Sequence, residues 1–365
     1  MLITVLPGDG IGEEVTSQAI RVLTEVSSIF DVELETQTAL IGGVAIREAG
    51  NPFPEATRTA CLEAKAVLLG SVGSPDFDHL PPDQRPEIGL LKLRQALGGF
   101  ANLRPSRAVP ALIDSSPLRR EIFEGTDLVI VRELLGGLYY GQPRGVDAAN
   151  TEAFNTLKYS VPEVERVARV AFEIARSRRN KLTSVDKANV LEVSRLWRQT
   201  VDRIAKDFPE VEVEHLFVDA CAMFLVTQPT RFDVVLTENM FGDILSDEAA
   251  VLTGSLGMLA SATVGGEIEL YEPVHGSAPD IAGQNIANPL GAIASAALLA
   301  RYTIENENIA STIERAIDQV LEDGYRTVDL APIGWPKTVS TEEMGDLVLQ
   351  NAIDNANVSH AYHAV

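Results

Sequence analysis

The sequence predicts an α/β protein organised in two domains or lobes. Short aliphatic and β-branched runs alternate with segments of helical periodicity from the first residues onward, which is typical of helices layered on a sheet. The chain has 365 residues, more than the ~250 to 300 that one hydrophobic core usually accommodates. Hydrophobic residues make up 45% of the chain and charged residues 22%, as in folded globular proteins.

The predicted order opens with a buried strand, a tight turn and a helix. Ile3–Leu6 is an apolar run, Pro7–Gly10 breaks it, and apolar residues then recur at helical spacing from Ile11 to Val26. The turn is rich in glycine but lacks the GxGxxG pattern of a Rossmann dinucleotide site. A Rossmann fold is therefore disfavoured, although dinucleotide chemistry is not.

The alternation continues along the chain. Further strands are predicted at 67–69, 127–131, 182–185, 213–218 and 232–236, and helices at about 89–97, 162–180 and 190–207. After Phe241 the pattern is mostly helical, through Leu256 and again at 287–303, 310–321 and 342–353. The segment 136–160 differs, because glycine and proline interrupt alternating polar runs, and it predicts a hairpin arm that needs a partner to cover it.

Composition excludes several function classes. A formal net charge of -22 argues against binding to nucleic acid or to anionic membrane, which requires a basic surface. Any site for an anion must then be a local cluster of Arg and Lys. Two cysteines, Cys61 and Cys221, cannot form a disulfide framework. With no signal-like N-terminus and no apolar stretch long enough for a bilayer, we expect a cytoplasmic protein.

The strongest local signal is an acidic pair in the run TENMFGDILSD. Asp243 and Asp247 are four residues apart in a helical segment, so both carboxylates lie on one face, where they repel unless a cation sits between them. Oxygen ligands without nearby Cys or His favour Mg²⁺ or Mn²⁺. The alternative is that both acids belong to a first helical turn and are stabilised by the helix dipole. The pair alone leaves the two interpretations about equal.

Three further constellations contain chemically useful groups. Arg94, Arg104 and Arg132 lie at strand ends or beside glycine-rich turns, where bidentate arginines bind carboxylates, although any one of them alone is typical of a surface ion pair. Lys187 and Tyr139 occupy turns and are candidates for proton transfer, although a lone Lys or Tyr is more often surface or core.

The third constellation is the loop VHGSAPDIAG, which runs from Val274 to Gly283 and is followed by Asn288. Its glycines allow close approach of a ligand, and its acidic residue, Asp280, is suited to accept ribose hydroxyls. The loop therefore predicts a nucleotide site.

Six segments together resemble one family. They are LPGDGIG from Leu6, 87–105 with its LRQALGGFANLRP core, RELLGGLYYG from Arg132, VDKANV from Val185, TENMFGDILSD from Thr237, and VHGSAPDIAG with IANP from Val274. In this order they resemble the β-decarboxylating dehydrogenases of the isocitrate/isopropylmalate dehydrogenase family, and within it the members that act on 3-isopropylmalate. The resemblance covers essentially the whole chain.

The resemblance implies a two-lobed α/β fold with a mixed central sheet that is not Rossmann. Residues 1–99 with 254–365 are expected to form the cofactor lobe, and 100–253 the lobe that carries the dimer interface and the arm at about 136–160. It further implies oxidation and decarboxylation of 3-isopropylmalate in leucine biosynthesis, with NAD and Mg²⁺ or Mn²⁺, by a homodimer with shared active sites.

The implied site residues fall into four groups. Arg94, Arg104 and Arg132 hold the substrate carboxylates, while Glu87, Leu90 and Leu91 line the pocket for its side chain. Asp243 and Asp247 bind the metal with Asp219 of the partner subunit, which also borders the substrate. Tyr139 and the partner's Lys187 are the catalytic proton-transfer groups. The NAD-binding residues are Asn189, His275, Gly276, Ser277, Ala278, Pro279, Asp280, Ile281 and Asn288.

Two alternatives remain open. One is a sister enzyme that oxidises isocitrate, homoisocitrate or tartrate. The other is a catalytically silent paralogue that only binds ligands, and the presence of Lys187, Tyr139 and all three aspartates counts against it.

Overall fold

The structure is a computed structural model, and it describes residues 1–115, 118–250 and 254–363. It confirms the α/β class. The chain divides into two compact units. Unit 1 comprises Met1–Gly98, Val109–Pro117 and Thr253–Val365, and unit 2 comprises Gly99–Ala108 and Leu118–Leu252.

Strands and helices alternate along the described residues. The strands are β1 (Leu2–Gly8), β2 (Glu35–Thr38), β3 (Ala66–Ser71), β4 (Ala101–Arg107), β5 (Asp127–Glu133), β6 (Gly145–Val146), β7 (Ala153–Phe154), β8 (Lys181–Asp186), β9 (Glu212–Phe217), β10 (Val234–Thr237), β11 (Ala260–Val264) and β12 (Glu269–Pro273). The helices are α1 (Gly12–Ile29), α2 (Gly43–Ala49), α3 (Glu55–Glu63), α4 (Pro86–Leu97), α5 (Arg120–Phe123), α6 (Val161–Ser177), α7 (Glu192–Ala205), α8 (Val218–Thr227), α9 (Asn239–Ala250), α10 (Leu290–Tyr302), α11 (Glu307–Glu322) and α12 (Thr341–His363).

Each unit contains a mixed arrangement of five main strands. In unit 1 the order is β2-β1-β3-β12-β11, parallel except for the antiparallel pair β11 and β12. In unit 2 the order is β4-β5-β10-β8-β9, parallel except for the antiparallel pair β4 and β5. The short pair β6 and β7 forms a separate antiparallel ribbon within the predicted arm.

The central strands are apolar because helices cover both faces of a parallel sheet. Every residue of β3 is buried. In unit 1, Leu6, Val67, Leu93 and Leu270 belong to one buried apolar cluster. No helix of the described residues is long and apolar enough to cross a membrane.

The sequence pattern was misleading after Phe241. That region was predicted to be mostly helical, but the structure places strands β11 and β12 between α9 and α10. Both strands are short, β11 is mostly Ala, Ser and Thr, and β12 contains two Glu and a Pro. They therefore lack the apolar β-branched runs by which the other buried strands were recognised. The predicted helix through Leu256 ends at Ala250 among the described residues, and 251–253 lie outside them.

Asp9 connects three segments of unit 1 through its buried carboxylate. Oδ2 accepts hydrogen bonds from the backbone N–H groups of Gly43 at 2.8 Å and Gly73 at 2.9 Å. Oδ1 accepts one from Val44 at 2.8 Å. Gly43 and Val44 open α2, so the carboxylate satisfies N–H groups that have no partner within the helix.

Replacing Asp9 should therefore destabilise the fold. Asp9→Ala leaves three N–H groups unpaired, and we expect the free energy of unfolding to fall by about 3–5 kcal/mol. Asp9→Asn retains one acceptor oxygen and should cost about 1–2 kcal/mol. Denaturant titration measures both, and Glu63→Ala at an exposed position of α3 is the control, expected within about 0.5 kcal/mol of wild type. Equal stability of the Asp9→Ala and Glu63→Ala proteins would contradict the role of this carboxylate.

Candidate active site

The parallel strands of unit 2 end at one edge of their sheet, and the candidate residues follow them there. β5 leads to the turn that carries Tyr139, and β10 leads to α9 with Asp243 and Asp247. β8 is followed by Lys187, and β9 by Asp219 in α8. Ligands in open α/β sheets bind outside the carboxyl ends of the strands, so the topology places these groups along the edge where ligands bind.

The carboxylate of Asp243 joins two of the predicted residues. Arg132 Nη1 donates a hydrogen bond to Asp243 Oδ1, and the Tyr139 hydroxyl donates one to Oδ2 at 2.8 Å. The Arg132 side chain is 2% exposed and that of Asp243 is 36% exposed. The carboxylate therefore reaches the surface while the arginine beneath it is held in a defined position.

Arg104 approaches the same helix from β4. Its Nε donates to Asn102 Oδ1 at 2.7 Å and its Nη1 donates to Ser246 Oγ at 2.5 Å. The guanidinium lies 3.6 Å from Asp243 Oδ1 and 3.7 Å from Asp247 Oδ1. Two buried arginines thus border the acidic pair, and planar guanidinium groups in such positions suit an anionic ligand.

The position of the acidic pair within α9 decides between its two explanations. α9 begins at Asn239 and has no acidic residue in its first turn, so the helix dipole does not account for Asp243 and Asp247. Burial raises the pKa of Asp247, Arg104 opposes this effect, and the negative charge of Asp243 adds to it. A cation bound between the two carboxylates would relieve that repulsion, and their oxygen chemistry fits a hard divalent ion.

The described part of one chain supplies only part of such a metal site. Within residues 1–115, 118–250 and 254–363, no three His, Cys, Asp or Glu side chains are grouped closely enough to hold a metal. Mg²⁺ normally takes six oxygen ligands. Asp243 and Asp247 alone would not fill the coordination sphere of such an ion.

The two predicted proton-transfer residues have different surroundings. Burial, together with the hydrogen bond to Asp243, raises the pKa of Tyr139 to about 12, so its hydroxyl is protonated at neutral pH and able to donate. Lys187 Nζ donates to Asp219 Oδ1, and this hydrogen bond lowers the pKa of Asp219. Lys187 and Asp219 thus form a pair of their own.

In unit 1, helix α4 presents the predicted specificity residues at helical spacing. Glu87, Leu90, Leu91 and Arg94 recur on one face. Glu87 is exposed, Leu91 is half-buried, and Leu90 packs against the apolar cluster of unit 1. Arg94 Nη2 lies 2.7 Å from Glu272 Oε1. This buried ion pair fixes the direction of the Arg94 guanidinium.

The predicted nucleotide loop follows β12 at the carboxyl edge of the unit 1 strands. Ile11 N donates to Ser277 O at 2.9 Å. Gly10 has a φ of +57°, and a Cβ there would lie 1.9 Å from Ser277 O. Only glycine permits this approach, so the first turn of the chain supports the loop.

His275 has a polar atom without a partner. Its Nδ1 lies 2.9 Å from Gly276 O, and because a carbonyl only accepts, Nδ1 is the protonated nitrogen. Burial lowers the pKa of the ring, which keeps it neutral. Nε2 is then an acceptor, and it has no hydrogen-bond partner among the described residues. An amino group such as that of adenine fits this atom.

The other predicted nucleotide residues lie along the same loop, except Asn288, which follows it, and Asn189. Gly276, Pro279 and Asp280 are exposed, and Ser277, Ala278 and Ile281 are partly buried. Asn288 is buried, with its Nδ2 donating to Asp329 Oδ2 at 3.0 Å and its Oδ1 accepting from Leu290 N at 3.0 Å. Asn189 is exposed after β8 in unit 2.

Four residues at the site escaped the sequence reasoning. Asn239 and Ser246 lie inside the TENMFGDILSD run, and Asn102 lies inside the core segment before Arg104, so their position beside charged candidates was an available signal. Glu272, the partner of Arg94, lies in β12, the strand that the sequence pattern did not reveal.

These features place buried arginines and a pair of carboxylates beside the ends of parallel strands, where α/β enzymes bind their ligands. The sequence profile of the isocitrate/isopropylmalate dehydrogenase family matches residues 2–348, and the chain belongs to that family. It is therefore an oxidoreductase of a family that uses a nicotinamide cofactor and a divalent metal.

Individual relatives agree with this assignment. Proteins named 3-isopropylmalate dehydrogenase from Aquifex aeolicus and Moorella thermoacetica are 54% and 55% identical to the chain, covering 96% and 95% of it and 96% and 97% of their own lengths. An isocitrate dehydrogenase structure from Methylococcus capsulatus is 35% identical with a TM-score of 0.85, covering 96% of this chain and 99% of its own. A β-decarboxylating dehydrogenase from Thermococcus kodakarensis in its apo form is 36% identical with a TM-score of 0.79, covering 97% and 96%.

The acidic pair should control metal affinity. We expect Asp247→Asn to weaken Mn²⁺ binding by at least the ~10–100-fold reported for altered supporting groups around metals, because the substitution removes an anionic oxygen. Isothermal titration calorimetry measures the affinity. Asp354→Asn, at an exposed position of α12, is the matched control and should bind like wild type. Equal Mn²⁺ affinities for all three proteins would show that the metal does not bind at Asp247.

Proposed function

We propose that the protein oxidises and decarboxylates 3-isopropylmalate to 4-methyl-2-oxopentanoate, with reduction of NAD, in leucine biosynthesis. The observation that carries the proposal is the 54–55% identity to relatives of that name over nearly the full length of both chains. Every residue that the family resemblance implies for this chemistry is present.

The proposed roles follow from charge and hydrogen-bonding capacity. Arg94, Arg104 and Arg132 hold the two carboxylates of the substrate through bidentate contacts. The partner's Lys187, in its neutral amine form, would receive the proton of the C2 hydroxyl as hydride leaves C2. Tyr139, protonated and hydrogen-bonded to Asp243, donates a proton to C3 after CO₂ has departed.

The two cofactors complete the chemistry. Asp243, Asp247 and Asp219 of the partner subunit would hold Mg²⁺ or Mn²⁺, which would supply Lewis-acid chemistry to the bound substrate. NAD, bound by Asn189, the loop from His275 to Ile281, and Asn288, supplies the hydride acceptor.

NAD rather than NADP is proposed because of Asp280. This residue is exposed in the loop, where its carboxylate accepts the hydroxyls of the adenosine ribose and repels a 2′-phosphate. The loop from Val274 to Gly283 contains no Lys or Arg to bind that phosphate.

We further propose a homodimer with shared sites. Lys187 and Asp219 are already paired with each other, so a second chain would contribute them together. Helices α8 and α9 expose apolar side chains, with Met223 53% and Ile244 61% exposed, and the arm exposes Phe154 at 53%. A second copy would cover this apolar surface. We place the protein in the cytoplasm, where its two buried cysteines stay reduced.

Isocitrate oxidation is the second candidate, favoured by the similarity to the Methylococcus capsulatus isocitrate dehydrogenase structure. Helix α4 argues against it. A third carboxylate beside Leu90 and Leu91 would lose hydration among apolar side chains, and Glu87 on the same face would repel it.

Substrate preference tests the proposed function directly. Burying the three carbons of an isopropyl group at ~0.8 kcal/mol each gives roughly 2 kcal/mol, so kcat/KM for 3-isopropylmalate should exceed that for unsubstituted malate about 30-fold. Isocitrate should be at least as poor as malate, and NADP should replace NAD poorly.

Initial rates of reduced-cofactor formation measure each of the three substrates with each of the two cofactors. As a control, Leu91→Ala should reduce the advantage of 3-isopropylmalate and leave the rate with malate nearly unchanged. A wild-type enzyme that prefers isocitrate would contradict the proposed substrate and favour isocitrate oxidation. Equal use of NADP and NAD would contradict the proposed role of Asp280.

Subunit mixing tests the shared site. In a hybrid of a Lys187→Ala chain with an Asp243→Asn chain, one of the two shared sites contains neither substitution. After random exchange of an equal mixture, about half of the dimers are hybrids with one intact site each, so about a quarter of wild-type activity should return, whereas each variant alone stays inactive. Mixing two preparations of the same variant is the control. Hybrids that form, as shown by differential tagging, but remain inactive would mean that each site is built from one chain.

A further inference from the structure

Asn239, the first residue of α9, has a fully buried side chain that none of the roles above uses. Its Oδ1 accepts two hydrogen bonds from Arg132, from Nε at 3.0 Å and from Nη2 at 2.8 Å. These two bonds leave Nη1 of Arg132 to donate to Asp243. The amide oxygen therefore sets the plane of the guanidinium that reaches the acidic pair.

The amide nitrogen of Asn239 binds the turn that precedes Tyr139. Nδ2 donates to Leu134 O at 3.1 Å and to Gly136 O at 3.0 Å. The turn continues directly into the single helical turn Gly137–Tyr139. One side chain thus connects the arginine and the tyrosine that meet at Asp243.

The orientation of this amide is unambiguous. A guanidinium only donates and a carbonyl only accepts, so the oxygen must face Arg132 and the nitrogen must face the turn. All four hydrogen-bonding positions of the amide are filled.

A second support reinforces the arrangement from the other side of the turn. The backbone N–H of Asn239 donates to Tyr159 Oη at 3.0 Å, and that hydroxyl donates to Glu133 Oε2 at 2.9 Å. The Glu133 carboxylate accepts from the backbone of Leu135 at 3.0 Å and of Gly136 at 2.8 Å. Both the N–H and C=O groups of this turn are therefore bound by buried partners.

We infer that Asn239 is a positioning residue that fixes Arg132 and the Tyr139 turn relative to each other and to Asp243. The inference rests on the roles proposed for Arg132 and Tyr139, and it adds the residue that makes those roles compatible. Neither group shifts without breaking two buried hydrogen bonds, and a displacement of ~1 Å in an active site lowers rates about 10²-fold.

Two substitutions separate the two halves of the contact. In Asn239→Asp one oxygen still accepts from Arg132, but the other faces two carbonyls with nothing to donate. We expect KM for 3-isopropylmalate near the wild-type value and kcat lowered about 10²-fold. Asn239→Ala releases Arg132 as well, so KM should also rise, by about tenfold.

A structural measurement checks the same point without turnover. In a crystal structure of the Asn239→Asp protein, the bond from Tyr139 to Asp243, 2.8 Å in the wild type, should be lost while the contact between Arg132 and Asp243 remains. Asn308→Asp, at an exposed position in the first turn of α11, is the control and should match wild type in both kinetics and structure.

Several outcomes would overturn the inference. One is a wild-type kcat in Asn239→Asp, and another is an unchanged contact of Tyr139 with Asp243 in its crystal structure. A third is the same fall in kcat and the same rise in KM in both variants. If Asn239→Ala does not fold, Tyr159→Phe serves instead, because it removes the acceptor of the Asn239 N–H and should lower kcat about tenfold at constant KM. A wild-type enzyme inactive on 3-isopropylmalate would refute the proposed function. The positioning role would still be tested by the contact of Tyr139 with Asp243 in the Asn239→Asp crystal structure.

Discussion

The carboxylate of Asp243 accepts hydrogen bonds from both Arg132 and Tyr139, and Arg104 lies beside it. Arg132 lies in β5 and Tyr139 in the turn that follows it, whereas Arg104 lies in β4 and Asp243 in the helix after β10. Their meeting therefore depends on the register of β4, β5 and β10. In that register Thr237 of β10 lies opposite Arg132 of β5. A slip of one residue would turn Arg132 to the other face of the sheet, and the cluster would be lost. Sheet register is therefore the constraint on which the site depends.

Strong local positive charge coexists with a net charge of -22. The arginines at the site are buried and oriented by neutral amides and hydroxyls as well as by acids, as Asn102 and Ser246 do for Arg104. Neutral partners fix the direction of a guanidinium without cancelling its charge, so part of the positive potential stays available to an anion. The acidic surface elsewhere makes this local potential the main attraction for a small dicarboxylate.

Much of the fold was predictable from the sequence because the spacing of apolar residues indicates which face of a helix or strand is buried. The buried strands β1, β3, β5, β8 and β10 and the helices α1, α6 and α7 were predicted within a few residues. Strands β11 and β12 were not, because their polar composition has no clear period. The candidate residues of unit 2 were recognised through motifs, but the pairing of Asp243 with Arg132 and Tyr139 was not predictable. Such contacts join residues more than 100 positions apart, and only the sheet register brings them together.

The order of segments in unit 1 has a consequence for synthesis of the chain. β12 lies between β3 and β11 in its sheet, yet it spans Glu269–Pro273, about 200 residues after β3. Ile11 meets Ser277 across an even longer separation. The main strands of unit 2 all lie between Ala101 and Thr237. Because chains emerge from the ribosome N-terminus first, unit 2 is complete while unit 1, which starts earlier, still lacks a central strand. The nascent chain therefore carries an open sheet edge at β3 for most of its elongation, and that edge is where premature pairing with another chain would begin.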